Sequence, residues 1–256
     1  MDLPTPLVRG RLVERYKRFL ADVLLDDGSI VTAHTANPGR MTGLVEPGRR
    51  VVLSESDDPR RKLRFTWELL RLGPHWVGVN PMHSNALVEE AITRGVVPTL
   101  ADHDELRREV PCEGHDASGR IDFQLRRGTR RTWVEVKTAT LVEPRVEQGA
   151  PGKVAQFPDA PSARGRRHLE ILRDRARRGD RAVLCFVVQR SDVDEVTPAD
   201  AIDPLYAQTL REAVHDGVEV LALGARVGPR RMWLDRTIAV GLSSQPSRKP
   251  ARSRSR

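Results

Sequence analysis

Aromatic residues make up only 4% of the 256 residues, so any core must be built mainly from aliphatic side chains. Cysteine is nearly absent: Cys112 and Cys185 each lie in an apolar, strand-like run, with no C-x-x-C pair and no Cys/His cluster. This excludes a disulfide scaffold, argues against structural zinc, and fits two buried thiols in a reducing compartment. No apolar run approaches the ~18 residues needed to span a bilayer. The first residues, MDLPTPLVRGRLVERYKR, contain no apolar secretory stretch. The chain is therefore expected to be cytoplasmic, with no membrane partner. The one phosphate-loop candidate, GAPGK, has Glu147 where the first Gly belongs and Val154 where Ser/Thr belongs, so no nucleotide cofactor is expected. Lysine is scarce as well, with 5 Lys against 38 Arg.

What is abundant is charge, at 30% of residues, with a net of +8. Arg248, Lys249, Arg252, Arg254 and Arg256 carry five of those positive charges without one acid among them. The tail 243–256 reads as a disordered basic extension, and the remaining body is mildly basic. A polyanionic partner is favoured by this balance but not demanded by it.

The most informative stretch is RIDFQLRRGTRRTWVEVKTAT, from Arg120 to Thr140. Two runs of alternating apolar and polar residues flank a Gly-containing turn, the pattern of a β-hairpin. Ile121, Phe123 and Leu125 are expected on one face of the first run, with Asp122 and Gln124 on the other. In the second run Val134 and Val136 share a face, opposite Trp133, Glu135 and Lys137. A two-residue Gly128-Thr129 turn sets Arg127 against Arg130. Counting back from it puts Asp122 opposite Glu135 and Arg120 opposite Lys137. Facing carboxylates destabilise a sheet unless a cation joins them. Mg²⁺ is commonly held by one or two carboxylates. The alternative is a solvated sheet face with an Arg120/Glu135/Lys137 charge ladder. Lysine's scarcity weighs against that alternative, because arginine would serve a ladder and only lysine offers a titratable ammonium.

The spacing Asp…Glu-x-Lys on a hairpin resembles the PD-(D/E)xK nuclease superfamily, with Ile121 in place of the proline. The resemblance implies that Asp122 and Glu135 bind Mg²⁺ or Mn²⁺, that the Val136 backbone carbonyl completes the site, and that Lys137 is catalytic. Glu109, just before the hairpin, is a further candidate acid.

Around this stretch the chain reads as two units. Residues 1–82 are strand-rich: Leu12 to Leu25 is one long strand-like run closed by Asp26-Asp27-Gly28, and Ser29 to His34 returns beside it. Arg50–Ser54, Leu63–Leu72 and His75–Asn80 add short strands. About five strands in this length fit an OB-like barrel, a fold that binds single strands through basic and aromatic side chains. Tyr16, Lys17, Arg18 and Phe19 supply that mixture, although a solvated charged face around a core aromatic explains the same residues. Residues 83–242 form the second unit. Ser84 to Arg94 is an amphipathic helix that Ser84 can cap and Gly95 ends. On it Glu89 or Glu90 faces either the metal or solvent. Residues 141–163 read as a long Pro/Gly-rich loop that closes over substrate. Ser162 to Arg178 is a helix whose first turns carry Arg164 and His168, four apart and on one face, suited to phosphate. Arg181–Gln189 is a strand buried on both faces. Asp203-Pro204 opens a helix to His215, Val218–Leu223 is another strand, and Arg226–Val240 a last hairpin. Strands alternating with helices predict a mixed sheet covered by helices.

Several uncommon motifs occur in order: RYKRFLAD, NPGRM at 37–41, TWEL at 66–69, VN at 79–80, RIDF, EVK, FPDA at 157–160 and SARGRRHLEIL at 162–172. Together they resemble the sugar fermentation stimulation protein (SfsA) family, over nearly the whole chain to about residue 240. The resemblance implies a prokaryotic DNA-binding protein: an OB-like β-barrel followed by a mixed α/β, PD-(D/E)xK nuclease-like domain. Pro38 departs from the family's usual Thr and stiffens that loop. The expectation is thus a metal-dependent phosphodiesterase acting on single- or double-stranded DNA. The alternative is a non-catalytic DNA-binding regulator of sugar metabolism on the same fold. The residues placed for nucleic-acid contact are Lys17, Arg18, Arg40, Arg120, Arg164 and His168.

Overall fold

The computed structural model describes residues 1–113, 118–144 and 152–243. The basic tail beyond Ser243 and the middle of the 141–163 segment lie outside the described residues.

The first strand, β1 (Leu7–Tyr16), alternates buried and exposed positions around Gly10 and Leu12 and pairs antiparallel with β2 (Leu20–Leu25). The Leu12–Leu25 run is therefore two strands, not one. Lys17 and Arg18 both take positive φ, 48° and 65°, and break it. No glycine marks that turn, so the pattern of apolar residues ran through it. Next, β3 (Ile30–His34) pairs with β2 as expected. Then β4 (Arg50–Glu55) pairs with β1, and β5 (Phe65–Leu72) with β4. A parallel contact between β3 and β5 closes the five-stranded OB barrel, and β6 (His75–Gly78) extends it. Leu12, Met41, Leu53, Trp67 and Leu70 fill its interior.

The second domain opens with α1 (His83–Thr93) and a short α2 (Pro98–Ala101), followed by a hairpin pair of long strands, β7 (Glu105–Glu113) and β8 (Ser118–Arg127). The chain continues with β9 (Arg130–Thr138), β10 (Leu141–Pro144), β11 (Lys153–Phe157) and α3 (Ala163–Arg177). It ends with β12 (Arg181–Val188), β13 (Glu195–Pro198), α4 (Pro204–His215), β14 (Glu219–Val227), β15 (Met232–Thr237) and β16 (Ala239–Val240). The main sheet has the order β15-β14-β12-β9-β8-β7, parallel at its centre and antiparallel at both flanks. Along β12, Val183, Cys185 and Val187 pack toward α1, while Leu184, Phe186 and Val188 pack toward α3 and α4. This burial on both faces accounts for its unbroken apolar run. Part of the expected 141–163 loop is structured, because β10 and β11 join β13 and β16 in a small separate sheet.

Helix boundaries follow local chemistry with one correction. Ser162 Oγ accepts from Gly165 N at 3.0 Å and caps α3, and the Asp203 side chain accepts from Tyr206 N at the start of α4. Gly179 (φ 87°) follows α3 and Gly95 (φ 70°) follows α1, as helix stops require. Ser84, however, does not cap α1. Met82 is the N-cap residue with no side-chain bond, and Ser84 Oγ instead meets Thr138 Oγ1 at 2.7 Å and Gln189 Nε2 at 3.0 Å.

The two domains share an apolar core, since Val52 and Leu69 of the barrel pack with Leu87, Val88 and Phe123 of the second domain. Leu3 joins the same cluster, and Asp2 bridges to Arg231, so the extreme N-terminus packs on the second domain. A buried polar knot crosses the boundary. Glu68 on β5 accepts from Ser54 Oγ at 2.7 Å and Asn80 Nδ2 at 2.9 Å, and meets His83 Nε2 at 2.6 Å.

Candidate active site

The hairpin register is the expected one. Arg127 faces Arg130, and pairing continues back to Phe123 opposite Val134, where the hydrogen-bonded ladder ends one step before Asp122 and Glu135. The cause lies on the neighbouring strand. Glu109 takes φ 51° at the point of β7 bracketed by the pairs Arg108–Phe123 and Val110–Ile121, which is opposite Asp122. The pleat slips there. Phe123 and Leu125 pack toward α1, but Ile121 packs toward α3, so the three do not share a face as their alternation predicted.

Where the ladder opens, the Asp122 carboxylate takes its place. Val136 N donates to Asp122 Oδ2 at 2.7 Å, and Asn85 Nδ2, from the first turn of α1, donates to Oδ1 at 2.8 Å. A strand residue presents its N–H and C=O to the same edge. The Val136 carbonyl therefore turns to the same side as the Asp122 carboxylate. Glu135 lies on the α3 face and is only 1% exposed. Its Oε1 meets both Lys137 Nζ and His168 Nδ1. Its Oε2 is buried with no partner among the described residues. Arg164 Nε donates to His168 Nε2 at 3.5 Å, which leaves the Nδ1 hydrogen for Glu135. Tyr206, at the start of α4, is buried nearby, and its hydroxyl likewise has no partner among the described residues.

The two carboxyls are pushed apart electrostatically. Burial raises Asp122 above its ordinary range and the Glu135 charge raises it further, against the Val136 N–H, the Asn85 amide and Lys137. Burial also pushes Glu135 upward, but the Lys137 charge and the His168 bond outweigh it, so that carboxyl stays below its ordinary value. The Tyr206 hydroxyl is held well above its ordinary value by burial and by the Glu135 charge. The arrangement concentrates negative charge from two carboxylates and holds an ammonium against them. Its donors are all oxygens, the set a hard divalent cation prefers. Among the described residues no group of three or more His, Cys, Asp or Glu side chains converges as a metal cluster, so the acidic pair stands alone.

The other sequence candidates divide. Arg164 and His168 join the site, but His168 is buried and engaged by Glu135, so its contact is with the acid and not with solvent. Glu109 directs its side chain to solvent, and its carbonyl accepts from Arg120 Nη1 at 3.0 Å. Arg120 thus lies by the β7–β8 pair, and with Glu135 buried the solvated charge ladder is not formed. Glu89 approaches Arg108 at 3.4 Å and Glu90 pairs with Arg94 and the N-terminus, so neither helix acid joins the site. Lys17, Arg18 and Arg40 sit on adjoining barrel loops. The Arg15 guanidinium ties those loops together through the carbonyls of Arg18, Asn37, Gly39 and Arg40. Gly39 lies so close to Asp159 that a Cβ would fall 1.6 Å from its Oδ2, and Thr140 Oγ1 reaches the same oxygen at 3.5 Å. The barrel loops therefore abut the segments that follow β9 and β11. Asn85, Tyr206 and Asp159 were not legible as site residues. Asn85 and Tyr206 look like ordinary helix residues, and only the FPDA motif marked the vicinity of Asp159.

An OB barrel joined to a mixed α/β domain whose hairpin gathers Asp122, Glu135 and Lys137 defines a two-domain class of protein. Residues 13–79 match the SfsA N-terminal OB domain, and residues 82–231 match the sugar fermentation stimulation protein RE domain. The chain belongs to the sugar fermentation stimulation protein family. It is 48% identical to a sugar fermentation stimulation protein homolog of Geobacter sulfurreducens, over 94% of this chain and 98% of the other. It is 51% identical to the Thioalkalivibrio sulfidiphilus homolog, over 95% of this chain and 99% of the other. The structure of Pyrococcus furiosus SfsA in complex with Ca²⁺ superposes with a TM-score of 0.79 at 25% identity, covering 94% of this chain and 98% of that one. Among the described residues no helix is long and apolar enough to cross a membrane.

Proposed function

We propose that this protein is a metal-dependent phosphodiesterase that cleaves DNA, with Asp122, Glu135 and Lys137 as its centre. The observation that carries the reading is the Asp122/Glu135 carboxylate pair beside Lys137, in which Glu135 is buried and its Oε2 has no partner among the described residues. A buried polar atom left without a partner calls for an explanation, and a cation between two acids supplies one. Asp122, Glu135 and the Val136 carbonyl would hold it. Bound there, Mg²⁺ or Mn²⁺ supplies a Lewis acid for the phosphate and lowers the pKa of a bound water. The solved Pyrococcus relative was obtained in complex with Ca²⁺, an ion with the same preference for oxygen, which supports the choice of cation class.

The chain's own residues do the rest. Lys137 presents a charge-assisted donor toward negative charge that develops on the phosphate. His168 and Asn85 each fix one carboxylate, so the pair is preorganised before substrate arrives. Arg164 and Arg167, exposed on the first turns of α3, and Lys17, Arg18 and Arg40 on the barrel loops supply cationic contacts for the strand. Phe19, 43% exposed and stacked on His34 at 6.4 Å, offers a base-stacking surface on the barrel. The test is incubation of purified protein with end-labelled single- and double-stranded DNA in Mg²⁺, Mn²⁺ or EDTA. Cleavage is expected with metal only, and is expected to disappear in Glu135→Ala while binding persists.

A further inference from the structure

We propose that the seam between the barrel and the second domain is a second binding site, for the phosphate backbone of a single nucleic-acid strand. Two adjoining cavities, of about 340 and 260 Å³, open there and share Arg9 and Asp26 in their walls. Arg230, from the turn between β14 and β15, lines the first, and Arg11, Arg50 and Trp76 line the second.

The guanidinium groups in this groove outnumber its one acid and form no ion pair among the described residues. Arg9, Arg50 and Arg230 are exposed, and none of them makes a side-chain hydrogen bond or ion pair among the described residues. Arg11 donates only to the Gly48 carbonyl, at 3.1 Å. Asp26, the acid in the same walls, pairs with none of them. Elsewhere the chain's arginines commonly find carboxylates, as Arg166 does with Asp203 and Arg211 with Asp200. The register makes the contrast sharper. Arg11 stands directly opposite Arg50 across β1 and β4, and Arg9 follows on the same face of β1. Like charges directly opposite one another destabilise a sheet, so this cluster is a cost to folding that an anion would offset. Guanidinium groups suit phosphate because they bind it bidentately.

The walls select a strand over other anions. Trp76 is half-buried, packs against the interdomain core and carries Arg71 at 5.2 Å on its ring, so it gives the groove an aromatic side. Cationic grooves with aromatic walls hold single strands. The cavity volumes are at the lower end of those that enclose small molecules, enough for one or two nucleotide units and too small for a duplex. The groove is also not the β2–β3 face with which OB domains usually meet nucleic acid. Arg9 near the start of β1 and Arg15 near its end lie roughly 20 Å apart along the strand, and Arg15 is the residue that ties the loops beside Asp159. A strand in the catalytic cleft therefore reaches the seam only if it extends about six nucleotides or more at a rise of ~3.4 Å each. The proposal rests on nucleic acid being the ligand and not on cleavage.

The experiment is fluorescence anisotropy of the full-length protein in EDTA, with a labelled 20-nucleotide single strand and a 20-base-pair duplex across a range of salt. The variant is Arg9→Ala/Arg50→Ala/Arg230→Ala, with Arg→Lys at the same positions as a charge-retaining control. For the 20-mer we expect at least tenfold weaker binding and a salt slope shallower by about 2, at ~0.7 per lost contact. The lysine control should recover most of the loss, and the melting temperature should not fall. Unchanged 20-mer affinity and slope, or a loss confined to the duplex, overturns the proposal. Cleavage with an inert seam variant refutes the seam and leaves the phosphodiesterase. A weakened seam variant in a protein that never cleaves does the reverse.

Discussion

Glu135 engages Lys137 and His168 through a single oxygen, and its other oxygen is buried with no partner among the described residues. That asymmetry organises the expectations at the scale of single residues. Lys137→Ala should lower cleavage by about 10²–10³-fold, the usual effect of removing one preorganised charge-stabilising donor, while Mn²⁺ binding measured by calorimetry persists. A variant that cleaves like wild type would remove Lys137 from the chemistry. Asn85→Ala frees Asp122 Oδ1 and should weaken Mn²⁺ affinity by about 10–100-fold, since groups that hold a metal ligand matter nearly as much as the ligand. Unaltered affinity would make the Asn85 bond merely structural. Of these residues, Asp122, Glu135 and Lys137 were legible because hairpin alternation and turn length fix which side chains can meet. Asn85 was not, because its contact depends on where α1 docks, and that is decided by packing across the domain boundary.

Individual elements show where alternation misleads. The Leu12–Leu25 run reads as one strand because no glycine, proline or asparagine interrupts it, yet Lys17 and Arg18 both adopt the left-handed conformation. Such a conformation costs an L-residue roughly 1–2 kcal/mol, and glycine or asparagine would relieve it. Lys17→Asn/Arg18→Gly should therefore raise stability by about 1 kcal/mol in chemical denaturation and, if the turn meets the phosphate backbone, weaken DNA binding. Stabilisation with unchanged affinity would argue that the turn is only structural. Ser162→Ala, which removes the α3 cap that also aims Arg164 and His168, should cost about 1 kcal/mol. The slip at Glu109 was likewise hidden, since nothing in EVPCE marks a positive φ. The long α3 and the doubly buried β12 were readable because caps, stops and continuous apolar runs are local signals.

At the scale of the molecule, the two domains do not behave as independent beads. They share a core through Val52 and Leu69, and the buried Glu68 holds the start of α1 through His83 and Asn80. Glu68→Ala would leave those donors buried without an acceptor. It should cost several kcal/mol in unfolding free energy, at ~1–3 kcal/mol for each buried donor left unsatisfied, and should melt both domains together. Independent melting of the barrel would contradict the shared core. The order of barrel and mixed sheet was legible from strand density followed by alternating strands and helices. The small β10-β11-β13-β16 sheet was not, because strands of two to five residues carry too little pattern to be read.

The most direct test is cleavage of labelled DNA by wild-type protein and Glu135→Ala in Mg²⁺, Mn²⁺ and EDTA. Strand scission is expected to require the metal and to vanish in the variant, with DNA binding retained by both. Binding by the wild-type protein without scission under any metal, or scission that survives Glu135→Ala, would contradict the proposed function.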